Sequence, residues 1–172
     1  MCRCFVLDFG NYNRIIIYSV VLRPIFVTHF GILNNDVMKL SATGQLSSNA
    51  LLSSDMFAIG GYGSVRGFQP SEEVGDSGWQ FTAEYLYDLP IAQSWEVSVG
   101  PFADGGRVYN RIDNTAVDDE LYSVGLTLEF SSRMFFDDKK TKVKLDWAHP
   151  VGSYENPDVD DDTLYFRIAQ EF

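Results

Sequence analysis

Residues 122–130 read YSVGLTLEF, and every second residue of this stretch is apolar. One side of it carries Tyr122, Val124, Leu126, Leu128 and Phe130, and the other side carries Ser123, Gly125, Thr127 and Glu129. Successive side chains of a β-strand point to opposite faces, whereas the pattern of a helix repeats every 3.6 residues. The stretch therefore predicts a strand with one apolar face and one polar face.

The same two-residue period recurs along most of the chain. It is found in residues 38–46, 79–88, 95–104, 142–147 and 163–172. The connections between these stretches are of two kinds: short ones at residues 88–94 and 136–140, and long acidic or glycine-rich ones at residues 60–78, 109–119 and 152–162. Short turns at one end and long loops at the other are typical of the antiparallel meanders that form outer-membrane barrels.

Alternating strands also occur in soluble β-sandwiches, so a soluble sandwich that acts as a binding module is the alternative fold. Two features favour the barrel. Charged residues lie in the middle of the polar faces, as a water-filled lumen allows. Aromatic residues recur at the ends of the apolar faces, at Trp79, Tyr87, Trp95, Tyr122, Phe130, Trp147 and Phe172. We therefore predict an all-β chain whose antiparallel meander forms part of a transmembrane β-barrel.

The charge and the apolar runs exclude other classes of protein. The chain has 172 residues, with 13 Lys and Arg against 24 Asp and Glu, and its formal net charge is -11. Nucleic-acid binding requires a basic surface that displaces counterions, so we expect no nucleic-acid partner. The best apolar run, residues 15–22, is far shorter than the roughly 20 residues of a membrane-spanning helix. The first ten residues lack a secretory leader, so the chain is either cytosolic or the C-terminal piece of a longer protein.

Short matches to catalytic and metal-binding motifs do not extend to complete sites. Residues 75–78, GDSG, resemble the nucleophile segment of serine proteases, but His29 and His149 lie in no suitable context for a catalytic base. Residues 158–162, DVDDD, begin like a calcium loop but lack its central glycine and its final glutamate. Cys2 and Cys4 have no second pair to complete a zinc site. We therefore expect no catalytic residues, no cofactor and no metal.

Three motifs occur together between residues 57 and 106. Residues 57–68 read FAIGGYGSVRGF, residues 75–78 read GDSG, and residues 102–106 read FADGG. From Asp36 to Phe172 the chain resembles the two-partner secretion transporters, which are the haemolysin secretion/activation proteins of the outer-membrane assembly superfamily. Their signature is a V-R-G-F/Y loop that folds back into the barrel lumen, with an F-x-D-x-G run on a later strand.

This resemblance implies a set of site residues, a location and partners. The loop motif comprises Gly60, Gly61, Val65, Gly67 and Phe68, and the barrel-wall motif includes Phe102 and Gly106. Phe172 resembles the C-terminal signal by which outer-membrane barrels are recognised for insertion. The implied location is the outer membrane of a Gram-negative-type cell, and the implied partners are membrane lipid, the barrel-assembly machinery and a secreted, unfolded exoprotein. The related barrel-assembly or surface-antigen branch is the alternative function.

Arg66 and Asp104 are the residues that we expect to hold the loop in place. Arg66 follows several glycines, which allow a loop to fold tightly against a wall. Asp104 falls on the polar face of its strand and therefore faces the lumen. A guanidinium and a carboxylate can bond bidentately, which would hold the loop inside. Glu84 and Asp146, on the same face of other strands, are the alternative carboxylate partners.

The barrel of the resembled family is larger than residues 36–172 can form, and periplasmic domains precede it. A closed barrel of about eight strands has an interior that side chains just fill, with no room for a long inserted loop. We therefore expect residues 36–172 to be the C-terminal portion of such a barrel, in a fragment of a longer transporter. Residues 1–35 form a poorly defined segment, in which residues 14–22 are a candidate strand.

Overall fold

The computed structural model describes residues 25–30, 36–92, 95–110, 119–136, 139–152 and 162–170. Within these ranges the chain forms nine strands: β1 (Ile25–Phe30), β2 (Asp36–Gln45), β3 (Phe57–Ile59), β4 (Glu73–Gly75), β5 (Ser77–Ala92), β6 (Trp95–Tyr109), β7 (Asp119–Phe136), β8 (Lys139–Pro150) and β9 (Thr163–Gln170). No helix in the described ranges is long and apolar enough to cross a membrane.

Seven of these strands form one sheet in the order β1-β2-β5-β6-β7-β8-β9, and all neighbours are antiparallel. The two remaining strands, β3 and β4, pair with each other inside the connection from β2 to β5. We call this connection, residues 46–76, the inserted loop. The prediction of an all-β antiparallel meander is therefore confirmed.

The two faces of the sheet differ as the alternation predicts. Large apolar residues are exposed on one face, at Phe81, Tyr87, Val124, Leu126, Leu128, Trp147, Leu164, Phe166 and Ile168. Polar and charged residues are buried on the other face, at Glu84, Asp104, Ser123, Thr127, Ser131 and Asp146. A soluble sandwich would bury its apolar face instead. The inside-out arrangement is that of a membrane barrel wall.

The polar face is concave, because side chains that are far apart along the sheet meet across it. Lys39 on β2 lies 3.5 Å from Glu129 on β7, and Lys144 on β8 lies 2.6 Å from Glu84 on β5. Each pair is separated by three strand-to-strand intervals, which would span roughly 14 Å in a flat sheet. The sheet therefore curves like a portion of a barrel wall.

The connections alternate in length between the two ends of the sheet. Strands β5 and β6 are joined by residues 93–94, and β7 and β8 by residues 137–138. The connections at the opposite end are residues 46–76, 110–118 and 151–162. We call the two ends the short-turn end and the long-loop end. This asymmetry is the one that the sequence pattern predicts.

The first described strand departs from the sequence prediction. Strand β1 lies within residues 1–35, where the sequence indicated a candidate strand at residues 14–22 and none at residues 25–30. Its six residues pair with β2, from Ile25 opposite Thr43 to Phe30 opposite Met38. The candidate strand at residues 14–22 lies outside the described residues. Among the described strands, β1 and β9 form the two edges of the sheet and do not pair with each other.

Candidate functional site

The inserted loop packs against the concave polar face through a small apolar cluster. The cluster is formed by Phe57, Ile59, Val65, Phe68, Val108 and Leu121. The first four residues belong to the inserted loop, while Val108 is on β6 and Leu121 is on β7. Val65 and Phe68 flank the loop tip and are 0% and 4% exposed. Apolar contacts on both sides of the tip therefore hold it against the wall.

Glycines allow both the bends of the loop and its close approach to the wall. Three glycines of the loop have positive φ angles: 105° at Gly60, 89° at Gly61 and 95° at Gly67. Residues that have a Cβ atom rarely adopt such backbone angles. A Cβ atom at Gly67 would also lie 3.3 Å from Cγ of Pro150 on β8. On the wall, a Cβ at Gly106 would lie 3.2 Å from Cγ2 of Ile59 in the loop. Gly67 of the loop motif and Gly106 of the wall motif thus lie where the loop meets the wall, whereas Gly60 and Gly61 face other residues of the loop, namely Gln69, Pro70 and Glu72.

Arg66 at the loop tip contacts Asp104 on β6 through three donors. Its Nε donates to Asp104 Oδ2 at 2.7 Å, and its Nη2 donates to Oδ1 at 3.0 Å. The backbone N–H of Arg66 also donates to Oδ2, at 3.2 Å. This bidentate geometry with a backbone bond fixes the orientation of the loop tip as well as its distance from the wall.

The two alternative partners surround the same guanidinium. Nη1 of Arg66 donates to Oδ1 of Asp146 on β8 at 3.2 Å, and it lies 3.7 Å from Oε1 of Glu84 on β5. The central carbon of the guanidinium lies 3.3 Å from the ring centroid of Phe102. The structure therefore brings the four predicted residues together with Phe102, so that Arg66 contacts three strands at once. We call Arg66, Glu84, Asp104, Asp146 and Phe102 the loop seat.

Three further residues support the loop seat, and no sequence motif marks them as site residues. The hydroxyl of Thr127 lies within hydrogen-bonding distance of Oε1 of Glu84, at 2.8 Å, and of Oδ1 of Asp146, and its single hydrogen is shared between these two acceptors. Lys144 donates to Oε1 of Glu84 at 2.6 Å. A Cβ at Gly125 would collide with the ring of Phe102, so this glycine makes room for the ring. The alternation places all three on the polar face, but only the contacts distinguish them from their neighbours.

The electrostatics of the seat keep Arg66 charged. Burial would lower the pKa of Arg66, but the hydrogen bond and charge of Asp104, with the charges of Asp146 and Glu84, raise it above its ordinary value. The seat and its support contain three carboxyl groups against two cationic side chains. Among the described residues, Oδ2 of Asp146 is buried and receives no hydrogen bond. Asp104, in contrast, has both oxygens bonded to Arg66.

The loop tip also contacts β9, which no sequence motif indicates. The backbone N–H of Gly67 donates to the hydroxyl of Tyr165 at 2.9 Å, and that hydroxyl donates to the backbone oxygen of Phe68 at 3.3 Å. Thr163 donates to the backbone oxygen of Gly67 at 3.3 Å. The rings of Tyr62 and Tyr165 are 5.5 Å apart. These contacts extend the attachment of the loop from the middle of the sheet to one edge.

Other predicted positions have different outcomes. Phe172 lies outside the described residues, so its role as an insertion signal stays a prediction. Within the described part of the chain, no three His, Cys, Asp or Glu residues are grouped to hold a metal ion. The charged groups of the seat bond to one another and join the loop to the wall.

Comparison with known protein families identifies a match to this chain. The family model for the haemolysin secretion/activation protein ShlB/FhaC/HecB matches residues 26–131, which include most of β1, all of β2, the inserted loop, β5 and β6, and part of β7. No curated protein sequence matches the chain significantly. The match covers more than half of the chain and includes both Arg66 and Asp104. The chain therefore belongs to the haemolysin secretion/activation protein family, whose members are two-partner secretion transporters of the Gram-negative outer membrane.

Proposed function

We propose that this chain forms part of an outer-membrane pore that exports one large, unfolded exoprotein, and that the loop seat holds the inserted loop inside that pore. The observation that carries the proposal is the position of Arg66, which is 4% exposed and bonded within the polar concavity. Family membership supports the transport of a polypeptide rather than an enzymatic reaction. The match to a secretion family also favours export over the barrel-assembly alternative.

The exposed apolar face supports direct contact with membrane lipid. From Tyr122 to Phe130 the outward residues of β7 cover eight residue steps, or about 26 Å along the strand. This length is close to the apolar band of about 25 Å that surrounds outer-membrane barrels. Aromatic rings lie near both ends of the face, with Trp95 and Phe130 4.5 Å apart at the short-turn end and Trp79 and Phe81 6.0 Å apart at the long-loop end.

The edges of the sheet support a pore that is larger than the seven described strands. Among the described residues, β1 pairs only with β2, and β9 pairs only with β8. An unpaired strand edge in hydrocarbon is very costly, so a barrel in the membrane must close. The inserted loop also occupies the concavity, which requires a lumen wider than that of a barrel filled by side chains. We therefore infer that further strands complete the wall, placed there by the barrel-assembly machinery.

The proposal is tested by measuring export in cells that make the full-length transporter and its exoprotein. Arg66→Ala leaves three carboxylates without their shared cation, so we expect less exoprotein in the medium and an unchanged amount of folded transporter in the outer membrane. Arg107→Ala is the matched control, because Arg107 is partly exposed and lies 3.9 Å from Glu120, outside the loop seat. Equal export by wild type and Arg66→Ala would contradict the proposed role of the seat.

A further inference from the structure

The contacts between the inserted loop and β9 are separate from the loop seat. The seat involves side chains of β5, β6 and β8, whereas the contacts on β9 involve the backbone of Gly67 and Phe68. Tyr165 and Asp146 are directly opposite each other in the β8–β9 ladder. Adjacent residues of the loop tip, Arg66 and Gly67, are therefore held by cross-strand neighbours on two adjacent strands.

Strand β9 has few other attachments in the described part of the chain. It pairs with β8 along one edge, from Thr141 opposite Gln170 to Ala148 opposite Thr163. Its outward residues Leu164, Phe166 and Ile168 are 61–70% exposed. The inserted loop therefore supplies β9 with a second set of hydrogen bonds from the lumen side, about a hundred residues away along the chain.

We propose that Tyr165 and Thr163 are positioning residues that couple the seating of the inserted loop to the attachment of β9. The inference rests on the proposed function, because it requires a loop that Arg66 holds in the lumen. Tyr165 acts as both acceptor and donor, so its hydroxyl closes a bridge between Gly67 and Phe68. If the seated loop and β9 share these hydrogen bonds, a change that releases the loop should also loosen β9, and a change that loosens β9 should also release the loop.

The chain itself provides a sharp probe of loop release. Arg66 is the only Lys or Arg between Lys39 and Arg107, so trypsin can cut this region only after Arg66. In the seated loop Arg66 is buried, and cleavage requires the loop to leave the wall. A second probe is the hydrogen exchange of the Gly67 amide, which bonds directly to Tyr165.

The experiment compares Tyr165→Phe with wild type in the full chain folded in the membrane. Loss of one hydroxyl that serves two bonds should increase cleavage after Arg66 and exchange of the Gly67 amide by roughly three- to tenfold. Thr163→Val, which removes the bond to the Gly67 oxygen, should act in the same direction, and Thr163→Ser should not. Tyr87→Phe removes a hydroxyl from the exposed apolar face and should change neither measurement. Heat-modifiable migration verifies that each variant is folded.

A reciprocal arm separates this inference from the proposed function. The described hydrogen bonds of Asp104 go to Arg66 and not to β9, yet Asp104→Asn should accelerate both cleavage after Arg66 and amide exchange in residues 164–170. Faster cleavage with unchanged exchange in β9 would overturn the coupling and leave the loop seat intact. Unchanged cleavage in Asp104→Asn would show that the loop seat itself is wrong. Wild-type cleavage and Gly67 exchange in Tyr165→Phe would overturn the positioning role of Tyr165.

Discussion

The guanidinium of Arg66 lies over the ring of Phe102, with its central carbon 3.3 Å from the centroid of the ring. The edge of the same guanidinium bonds to Asp104, two residues along β6. Residues two apart in a strand share a face, so the wall motif presents a ring and a carboxylate to one loop residue. A planar, delocalised cation can satisfy both at once.

This geometry predicts that Arg66→Lys is not a conservative change. A lysine retains the charge but cannot bond bidentately to Asp104 while it also reaches Asp146 and covers the ring. Trypsin cuts after either residue, so cleavage at position 66 compares the two directly. We expect cleavage to be on the order of tenfold faster in Arg66→Lys, which corresponds to about 1.4 kcal/mol. Arg107→Lys should leave cleavage at position 107 unchanged, and equal protection at position 66 would contradict the prediction.

Arg66 and Asp104 should behave as one unit in a double-mutant cycle. Each single change to alanine leaves a buried charge without its main partner, whereas the double change removes both charges. We expect a coupling of roughly 0.5–3 kcal/mol in the free energy of unfolding, measured in lipid vesicles by denaturant titration. The control pair is Arg66 with Glu129, because Glu129 bonds to Lys39 and lies outside the seat. Effects that add for Arg66 and Asp104 would show that these residues do not interact.

The carboxylates of the seat should differ in importance. Asp104 accepts three hydrogen bonds from Arg66, whereas Oδ2 of Asp146 accepts none among the described residues. We expect Asp104→Asn to lower the free energy of unfolding by about 3–5 kcal/mol. Asp146→Asn should lower the free energy of unfolding by about 1 kcal/mol. The loss is smaller because the carboxylates of Glu84 and Asp104 still balance the charges of Arg66 and Lys144. Similar losses in the two variants, measured side by side, would argue against this ranking.

A charged residue on the outward face should destabilise the protein in a bilayer. Leu126 is 52% exposed on the apolar face in the middle of β7, so Leu126→Arg should cost about 2–4 kcal/mol in a bilayer. The inward control is Ser98→Arg, because Ser98 lines an open cavity of about 450 Å³ with Asp88, Glu96 and Glu129. Thr127, next to Leu126, also faces inward, but it is fully buried beneath the loop seat, so Thr127→Arg would disturb the seat and is not a suitable control. Equal losses in Leu126→Arg and Ser98→Arg would contradict the assignment of the faces.

The last residue should govern insertion. Deleting Phe172 should lower the amount of folded, heat-modifiable protein in the outer membrane without changing its synthesis, because the resemblance makes Phe172 the recognition signal. Immunoblots of outer-membrane fractions, run with and without heating, measure the folded amount, and immunoblots of whole cells measure synthesis. Phe172→Tyr retains the terminal aromatic ring and serves as the control. Normal insertion of the deletion variant would show that the terminal Phe has no such role.

The alternation in the sequence determined the fold class and the assignment of the faces, because strand geometry alone alternates the side chains. The prediction that Leu126 faces outward and Asp146 inward required no knowledge of neighbouring strands. Periodicity failed for β1, where the sequence indicated no strand and pairing with β2 decides it. In such a segment, pairing with a neighbouring strand determines the secondary structure more strongly than the intrinsic β-propensity of the residues does.

The loop seat was only partly determined by the sequence. The motifs indicated Arg66 and Asp104, and the shared face indicated Glu84 and Asp146 as alternatives, but the sequence could not show that one guanidinium contacts all three carboxylates. That arrangement depends on the curvature of the sheet, which brings β5 and β8 together across the concavity. The bonds of Thr127 and Lys144 to Glu84 depend on the same curvature, because they reach β5 from β7 and β8. Tyr165 contacts loop residues that are about a hundred residues away along the chain. Such contacts have no local signal, and only the tertiary structure decided them.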